Sequence, residues 1–390
     1  MNHLSLRYGC NPHQKDASVS MKAGELPLKV LNGAPGYINM LDALLAWQFV
    51  KELKSITNKP AAASFKHLSP AGAALAKPLS PKYLQSQFIT QKEFSPIATA
   101  YIRARGGDRM CAFGDAAAVS EEVDVTLANI LKQEVSDLII APSYSVEALE
   151  ILKKKKKGNF LVLQIDPNYE PSALETREFY GITFQQERNT AVINSKLFNN
   201  CVTDNNQITP EIMETLILAT IALKYTQSNS VTVAYDGQLI GVGAGQQSRV
   251  HCLRLACSKA DKWFMQQHPD ILDLQYKDGF VKPEKANIVD QLLLWDELSN
   301  DEKQQLSNSL LEEPPHISSD AKSVFIKQHK GVCLSSDAFF PFRDNIDRAS
   351  RTNIGIVAHP GGSLRDSDCI KAANEYGIVM YHTGLRLFTH

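Results

Sequence analysis

Lys66 and His67 stand side by side within AAASFKHLSPAGAA. Imidazole is the side chain whose unperturbed pKa lies near neutrality, so it can accept or give up a proton under ordinary conditions. A fixed cation, Lys66, stands directly beside it. A short apolar run precedes the pair, and a Ser-Pro turn and a small-residue stretch follow it. The pair is therefore expected at the end of a buried strand, where open α/β sheets hold their ligands. Four more segments carry polar residues that packing alone would not select. LRYGCNPHQ sets Arg7, Tyr8 and His13 among turn residues, and KYTQSNSV places Asn229 among hydroxyls. GVGAGQQSRVH runs from glycines into a helix bearing Arg249, and HTGLRLFTH ends the chain with Arg386 and His390. Guanidinium groups grip phosphate through two parallel hydrogen bonds, so these arginines suit a phosphorylated substrate.

Other chemistries find no support. GVGAGQQSR has Gly241, Gly243 and Gly245, but it follows a hairpin and lacks the dinucleotide-binding spacing. The P-loop pattern and H-E-x-x-H are absent, as is the H-x-E with P-C-x-x-C of zinc deaminases. The seven cysteines are odd in number and scattered, with no C-x-x-C. They read as free thiols in a reducing cytoplasm, and no zinc is expected. Acid–base work falls to His, Lys, Asp or Tyr.

The elements that must position these residues alternate along 390 residues, enough for two or three domains. A net charge of -1 gives no global field toward nucleic acid or membrane. The opening MNHLSLRYGC does not read as a signal peptide, and no apolar run approaches the roughly 20 residues of a membrane span. The run Lys153 to Lys157 precedes Gly158-Asn159 and has no interleaved aromatics, so it reads as a solvated helix end. Asn39 is expected to cap a helix with an apolar stripe of Leu41, Leu45, Phe49 and Leu53. AAASF, DLIIAP, FLVLQID, IGIVAHP and GIVMYHT read as strands; IATAYIRAR, SVEALEILKK and QQSRVHCLRLACSKADKWF read as helices. Thr209 and Pro210 open a further helix, and VTVAYDGQLIGVG should turn at Asp236-Gly237. The polar stretch 266–329, with a capping box at Ser299 and Glu302, reads as a helical insertion. MCAFGDAAAVS and SSDAFFPFRDNIDRA share a Phe-then-Asp pattern that suggests two copies of one architecture. The division is 1–175 for the first α/β domain, 176–265 with 330–390 for the second, and 266–329 for the insertion.

Taken in order, RYGCNPHQ, KVLNGAPGYINMLDA, FKHLSPAGAA, ARGGDRMCAFGD, EVSDLIIAP, KYTQSNSV, GAGQQSRVH, SSDAFFPFRDNIDRA, HPGGSLRD and HTGLRLF resemble the AICAR transformylase family. This is the formyltransferase half of a bifunctional purine-biosynthesis enzyme. The resemblance implies two cytidine-deaminase-like α/β/α domains plus a small helical insertion. It implies formyl transfer from 10-formyltetrahydrofolate to the 5-amino group of AICAR, giving FAICAR and tetrahydrofolate. The chain begins where the family's cyclohydrolase domain would end, so a stand-alone transformylase without IMP cyclohydrolase activity is expected, with a separate cyclohydrolase as a partner to look for. A cytoplasmic homodimer with active sites at the subunit interface is implied as well.

The family pattern assigns His67, Lys66 and Asn229 to catalysis. It maps the AICAR contacts to Arg7, Tyr8, Asn39, Gly114, Asp137, Arg249, Phe339 and Arg386. Folate contacts map to Val250, Asp344, Ser363 and Leu364, with Phe342 and Asn345 beside them. Some members bind potassium, for which the oxygens of Thr226, Ser228 and Asp337 could serve. Cys10 replaces the usual Glu of the first motif, and HPGGSLRD follows a bacterial pattern in an otherwise animal-like series. Two other readings stand beside this one: a deaminase-like hydrolase of the same fold, and a non-catalytic nucleotide-binding homologue.

Overall fold

Residues 2–390 are described by the computed structural model. Its centre is an eleven-stranded mixed sheet. Strands β1 (Leu28–Asn32), β2 (Ala61–Lys66), β3 (Ser69–Leu75), β4 (Asp115–Val119), β5 (Ser136–Ala141) and β6 (Leu161–Ile165) come from the first half. Strands β7 (Val231–Tyr235), β8 (Gln238–Gly243), β9 (Val332–Ser336), β10 (Ile354–His359) and β11 (Val379–His382) come from the second. The spatial order is β11-β10-β9-β7-β8-β3-β2-β4-β5-β6-β1. Each flank carries three parallel strands, β4-β5-β6 and β9-β10-β11, and the strands between are antiparallel.

The helices repeat the same order twice. In the first half α1 (Tyr37–Thr57) precedes the β2-β3 hairpin, α2 (Pro96–Arg105) leads to β4, and α3 (Val125–Gln133) and α4 (Val146–Lys153) cross between the parallel strands. In the second, α5 (Pro210–Leu223) precedes the β7-β8 hairpin and α6 (Arg249–Met265) follows it. Helices α7 (Lys282–Leu292), α8 (Asn300–Asn308) and α9 (Ser319–Ile326) interrupt this copy before β9; α10 (Asp344–Arg351) and α11 (Asp366–Glu375) complete it. The duplication suggested by the sequence is thus present in the topology, but not through the segments that suggested it. Gly114 and Asp115 of the first segment lead into β4, whereas Ala338 to Asp344 of the second follow β9. The shared Phe-then-Asp pattern lies at opposite ends of equivalent strands.

Helices α1 and α5 pack together over one sheet face, and α2, α3, α4, α6, α10 and α11 cover the other. Strand residues alternate between the two cores: Ala61, Ala63 and Phe65 face α1, while Ala62 faces the opposite side. The buried face of α1 includes Met40, Ala43, Ala46, Trp47, Phe49, Val50 and Leu53; of the expected stripe Phe49 and Leu53 are buried, Leu45 is half-buried and Leu41 is exposed. The buried face is broader than the expected stripe, because small and aromatic residues as well as leucines fit against the flat sheet. Gly36, in extended conformation, is the actual cap; Asn39 sits one turn inside and accepts the Gly36 N–H at 3.2 Å.

The glycines of GVGAG serve packing. A β-carbon on Gly241 would lie 2.1 Å from the Ala256 carbonyl oxygen, and one on Gly243 would lie 2.3 Å from that of Cys252. Gly72 meets Ala104 of α2 in the same way, at 2.2 Å. Strand and helix backbones therefore touch directly in both copies. Gly241→Ala should force β8 and α6 apart and cost about 1–3 kcal/mol. Urea unfolding checks this, and an unchanged midpoint would contradict the close approach.

Candidate active site

Strand β2 returns into β3 through a two-residue turn at His67-Leu68, flanked by the pair Lys66 and Ser69. Both turn residues have left-handed backbone, with φ of 53° and 60°. Such a turn is costly for non-glycine residues. Asp42 compensates from α1: its carboxylate accepts the Leu68 N–H at 2.7 Å and also bonds the His67 backbone. Asp42 is only 6% exposed. Burial pushes its carboxyl above the usual range, with the two turn N–H groups and the His67 charge opposing. The expected Ser-Pro turn is instead strand. Pro70 sits where the β2-β3 register shifts, a bulge in which its missing N–H is tolerated.

Because β4 runs antiparallel to β2, its start lies beside Lys66. The Lys66 Nζ donates to the Phe113 carbonyl at 2.5 Å. A β-carbon on Gly114 would lie 3.9 Å from that Nζ and 3.8 Å from an Asp137 carboxylate oxygen. Glycine leaves this space open between the two. Asp137 is also paired with Lys156 at 2.5 Å. The lysine run is therefore not simply a solvated helix end. Lys155 is buried, donates to the Glu134 carbonyl and lies over the Phe160 ring at 5.2 Å.

Arg7 and Tyr8 lie at the start of α1. The Arg7 Nη2 would be 3.6 Å from a β-carbon on Gly36, and its guanidinium lies 5.7 Å from the Tyr8 ring centroid. Arg7 has no carboxylate partner among the described residues, nor has Arg386, which is exposed 4.8 Å over the Phe388 ring. A helix N-terminus with an unpaired guanidinium beside it is a ready anion site.

Arg249 has a different setting. It is buried, with Nη1 bonded to Asp337 at 2.5 Å and to the Ser230 carbonyl at 2.9 Å, and Nη2 bonded to Asn229 Oδ1 at 2.9 Å. Its charge is thus neutralised within the protein, and it fixes the Asn229 amide with Nδ2 left to donate. Asp337 further accepts Ser228 Oγ at 2.7 Å and the Ser230 N–H at 2.9 Å. Leu387 N–H bonds the Asp337 carbonyl, which docks the C-terminal segment here. Thr226 gives its hydroxyl to the Ala222 carbonyl at 2.7 Å. The Asp337 carboxylate therefore already carries a guanidinium and two further donors. Thr226 and Ser228 each give up their hydroxyl hydrogen here and keep oxygen lone pairs. No group of three or more His, Cys, Asp or Glu among the described residues could hold a metal ion.

Beyond Asp337 lie the ends of β10 and β11. His359 is 1% exposed, and its ring centroid lies 4.6 Å from that of His382. His359 Nδ1 accepts the Gly361 N–H at 3.1 Å, and its Nε2 has no partner. Burial, with His382 and Arg249 nearby, pushes the His359 pKa down to about 3. Ser363 and the fully exposed Leu364 follow in the same loop. Phe342 and Phe339 are exposed, and Val250 is half-buried at the start of α6. Asp344 opens α10; beside it Asn345 is buried with Oδ1 unpartnered.

The antiparallel joint between β3 and β8 brings these groups to one end of the sheet. The start of β3 faces the loop before β7, where the Gln227 N–H bonds Ser69 Oγ at 3.3 Å. Lys66 and His67 of the first copy thus share an end with Asn229 of the second. A model of the AICARFT/IMPCHase bienzyme matches residues 1–259. The chain belongs to this family. It is 30% identical to the bifunctional purine biosynthesis protein PurH of Sorangium cellulosum over 99% of this chain and 58% of that protein. The same protein of Bacillus cytotoxicus is 30% identical over 99% of this chain and 59% of its own length. The chain therefore spans about three fifths of the curated relatives it matches.

Sequence reasoning missed Asp42, Lys155, Lys156 and the buried His359. Asp42 carried a signal only in being an acidic residue on an otherwise apolar helix face. His359 gives a pH test. The unfolded histidine takes its proton near pH 6.5, the folded one only near 3. Between these values the unfolded chain binds more protons, so stability is lost as pH falls through that window, by up to about 1.4 kcal/mol per pH unit from this group. His359→Gln should show a shallower loss between about pH 6 and pH 4. Equal slopes in urea titrations would contradict a buried neutral imidazole.

Proposed function

We propose that the chain is an AICAR formyltransferase of purine biosynthesis, moving the formyl group of 10-formyltetrahydrofolate to the 5-amino group of AICAR. The observation that carries this reading is the meeting of Lys66 and His67 with an oriented Asn229 amide at one sheet end. The AICAR amine is a poor nucleophile, since its lone pair is delocalised into the ring and carboxamide. Its attack needs proton removal and a stabilised oxyanion. His67 accepts the amine proton as the nitrogen–carbon bond forms. Lys66, one donor held by Phe113, offers its remaining N–H groups to the oxyanion. The tetrahedral intermediate then expels N10 of tetrahydrofolate, which takes up a proton. The Asn229 Nδ2 donates to the formyl oxygen or the substrate carboxamide.

The phosphate is assigned to Arg7 at the α1 N-terminus and to Arg386, and the ribose hydroxyls to Asp137. Tyr8, Asn39, Gly114, Phe339 and the positioning residue Arg249 complete the AICAR side. Val250, Asp344, Asn345, Ser363, Leu364 and Phe342 form the folate side. The exposed Phe339, Phe342 and Leu364 support a homodimer that closes the site. The repeated topology supports two deaminase-like α/β units bridged by one sheet, with 266–329 inserted in the second.

Incubation with AICAR and 10-formyltetrahydrofolate should release tetrahydrofolate and FAICAR in equal amounts. Lys66→Met should lower kcat about 10²–10³-fold, as for loss of one oxyanion donor. No product from the unaltered protein would overturn the reading.

A further inference from the structure

The duplicated fold has a second hairpin turn, Asp236-Gly237, at the opposite end of the sheet from Lys66. Strand β3 runs between the two ends, and its Leu75 N–H bonds the Gly237 carbonyl at 3.0 Å. Its seven residues span about 20 Å. The second turn is held as the first is. Thr215, the sixth residue of α5, accepts the Gly237 N–H at 2.9 Å; Asp42, the sixth residue of α1, accepts that of Leu68. A glycine with positive φ precedes the neighbouring strand in both copies, Gly114 before β4 and Gly331 before β9. The backbone frame of the candidate active site is therefore repeated, but Tyr235 and Asp236 stand at the places of Lys66 and His67.

A cavity of about 170 Å³ opens beside this second turn, lined by Ser80, Tyr83, Arg103, Tyr235, Gln238 and Trp263 among others. At about 30 Å³ per water it has room for a single ring rather than a nucleotide. Three aromatic side chains form its wall. The Trp263 ring centroid lies 6.2 Å from that of Tyr83 and 6.1 Å from that of Tyr235. Two of these rings are fixed before anything binds. Trp263 Nε1 donates to the Gly106 carbonyl at 3.0 Å, and the Tyr83 hydroxyl accepts Gln238 Nε2 at 3.0 Å. Rings at such spacings favour an aromatic guest.

Arg103 supplies the charge. Its side chain is 5% exposed, yet only Nη2 has partners: the Asp236 carbonyl and, at 3.4 Å, the Asp236 carboxylate. Nε is buried without an acceptor, and Nη1 bonds nothing among the described residues. A buried guanidinium with unused N–H groups is costly, and it points to a missing anion. The neighbouring carboxylates do not supply one. Asp236 is 56% exposed along its side chain and is also paired with Lys77 at 2.8 Å. Glu214 is held by Lys59 at 2.6 Å, with Lys77 at 3.9 Å. Three cations, Lys59, Lys77 and Arg103, thus face two carboxylates.

We propose that this cavity is a second, non-catalytic ligand site for a small planar aromatic carboxylate. The ring lies against Trp263 and the two tyrosines, and the carboxylate sits on Arg103. The ammonium and imidazole of the first turn have no counterpart here, so the ligand is held rather than converted. The site does not depend on the formyltransferase reading.

Calorimetry of the full chain with benzoate, benzamide and cyclohexanecarboxylate tests this. Benzoate should bind with a Kd of about 1 mM or tighter. Benzamide lacks the charge and cyclohexanecarboxylate lacks the flat ring, so each should bind about tenfold more weakly or worse. Arg103→Met should weaken benzoate about tenfold or more. Ser80→Asp keeps a side-chain oxygen to cap the helix Pro81–Ser86 through the Tyr83 N–H, and it adds a negative charge to the cavity wall. It should weaken benzoate by a similar factor while the urea midpoint stays that of the unaltered chain. It decides the matter if Arg103→Met fails to fold. No binding of benzoate, equal affinity for benzamide, or equal affinity in folded Ser80→Asp would overturn the proposal.

Discussion

The Asp42 carboxylate in the His67-Leu68 turn is the contact on which the site's geometry depends. Two successive left-handed non-glycine residues would not hold on turn propensity alone. A buried charged acceptor compensates, at the cost of keeping a carboxylate out of water. The same helix begins one turn earlier at Gly36, Asn39 and the neighbouring Arg7. One rigid element therefore sets both the turn that presents Lys66 and His67 and the helix end beside Arg7. On the proposed reading, helix geometry then fixes the span between the substrate's phosphate and its reacting amine.

The duplication explains why one end of the sheet gathers so many groups. The two copies abut antiparallel through β3 and β8, so the hairpin turn of the first faces the loop before β7 of the second. For the same reason the first copy contributes the starts of its parallel strands, with Gly114 and Asp137 there. The second contributes the ends of its strands, with Asp337, His359 and His382. An open α/β sheet usually offers only strand C-termini to ligands. Here the two-fold joint supplies both kinds of strand end. The Arg249–Asp337 pair then locks the second half by tying α6, the loop 228–230 and the C-terminal segment to the end of β9.

Local signals made much of the fold legible. Asp236-Gly237 marks its hairpin because glycine accepts left-handed backbone. Thr209-Pro210 and the Ser299–Glu302 box open their helices as expected. The His67-Leu68 turn was not legible, since its conformation comes from Asp42, 25 residues earlier in the chain. The exposed hairpin Leu174–Phe179 with Ile182–Glu187 was also missed, because both strands are exposed and show no buried alternation. Arginine roles divide by partners that sequence does not display. Arg7 and Arg386 stay available, whereas Arg249 is spent on Asp337 and Asn229. The lysine run looked uniform, yet its third and fourth members are held by Glu134 and Asp137.

The central claim is that His67 accepts the proton from the AICAR amine, and His67→Ala tests it most directly when transfer and binding are measured on the same preparation. The account predicts that tetrahydrofolate release falls about 10²–10⁴-fold while AICAR affinity changes little. A variant that keeps most of its transfer rate with AICAR bound would contradict it.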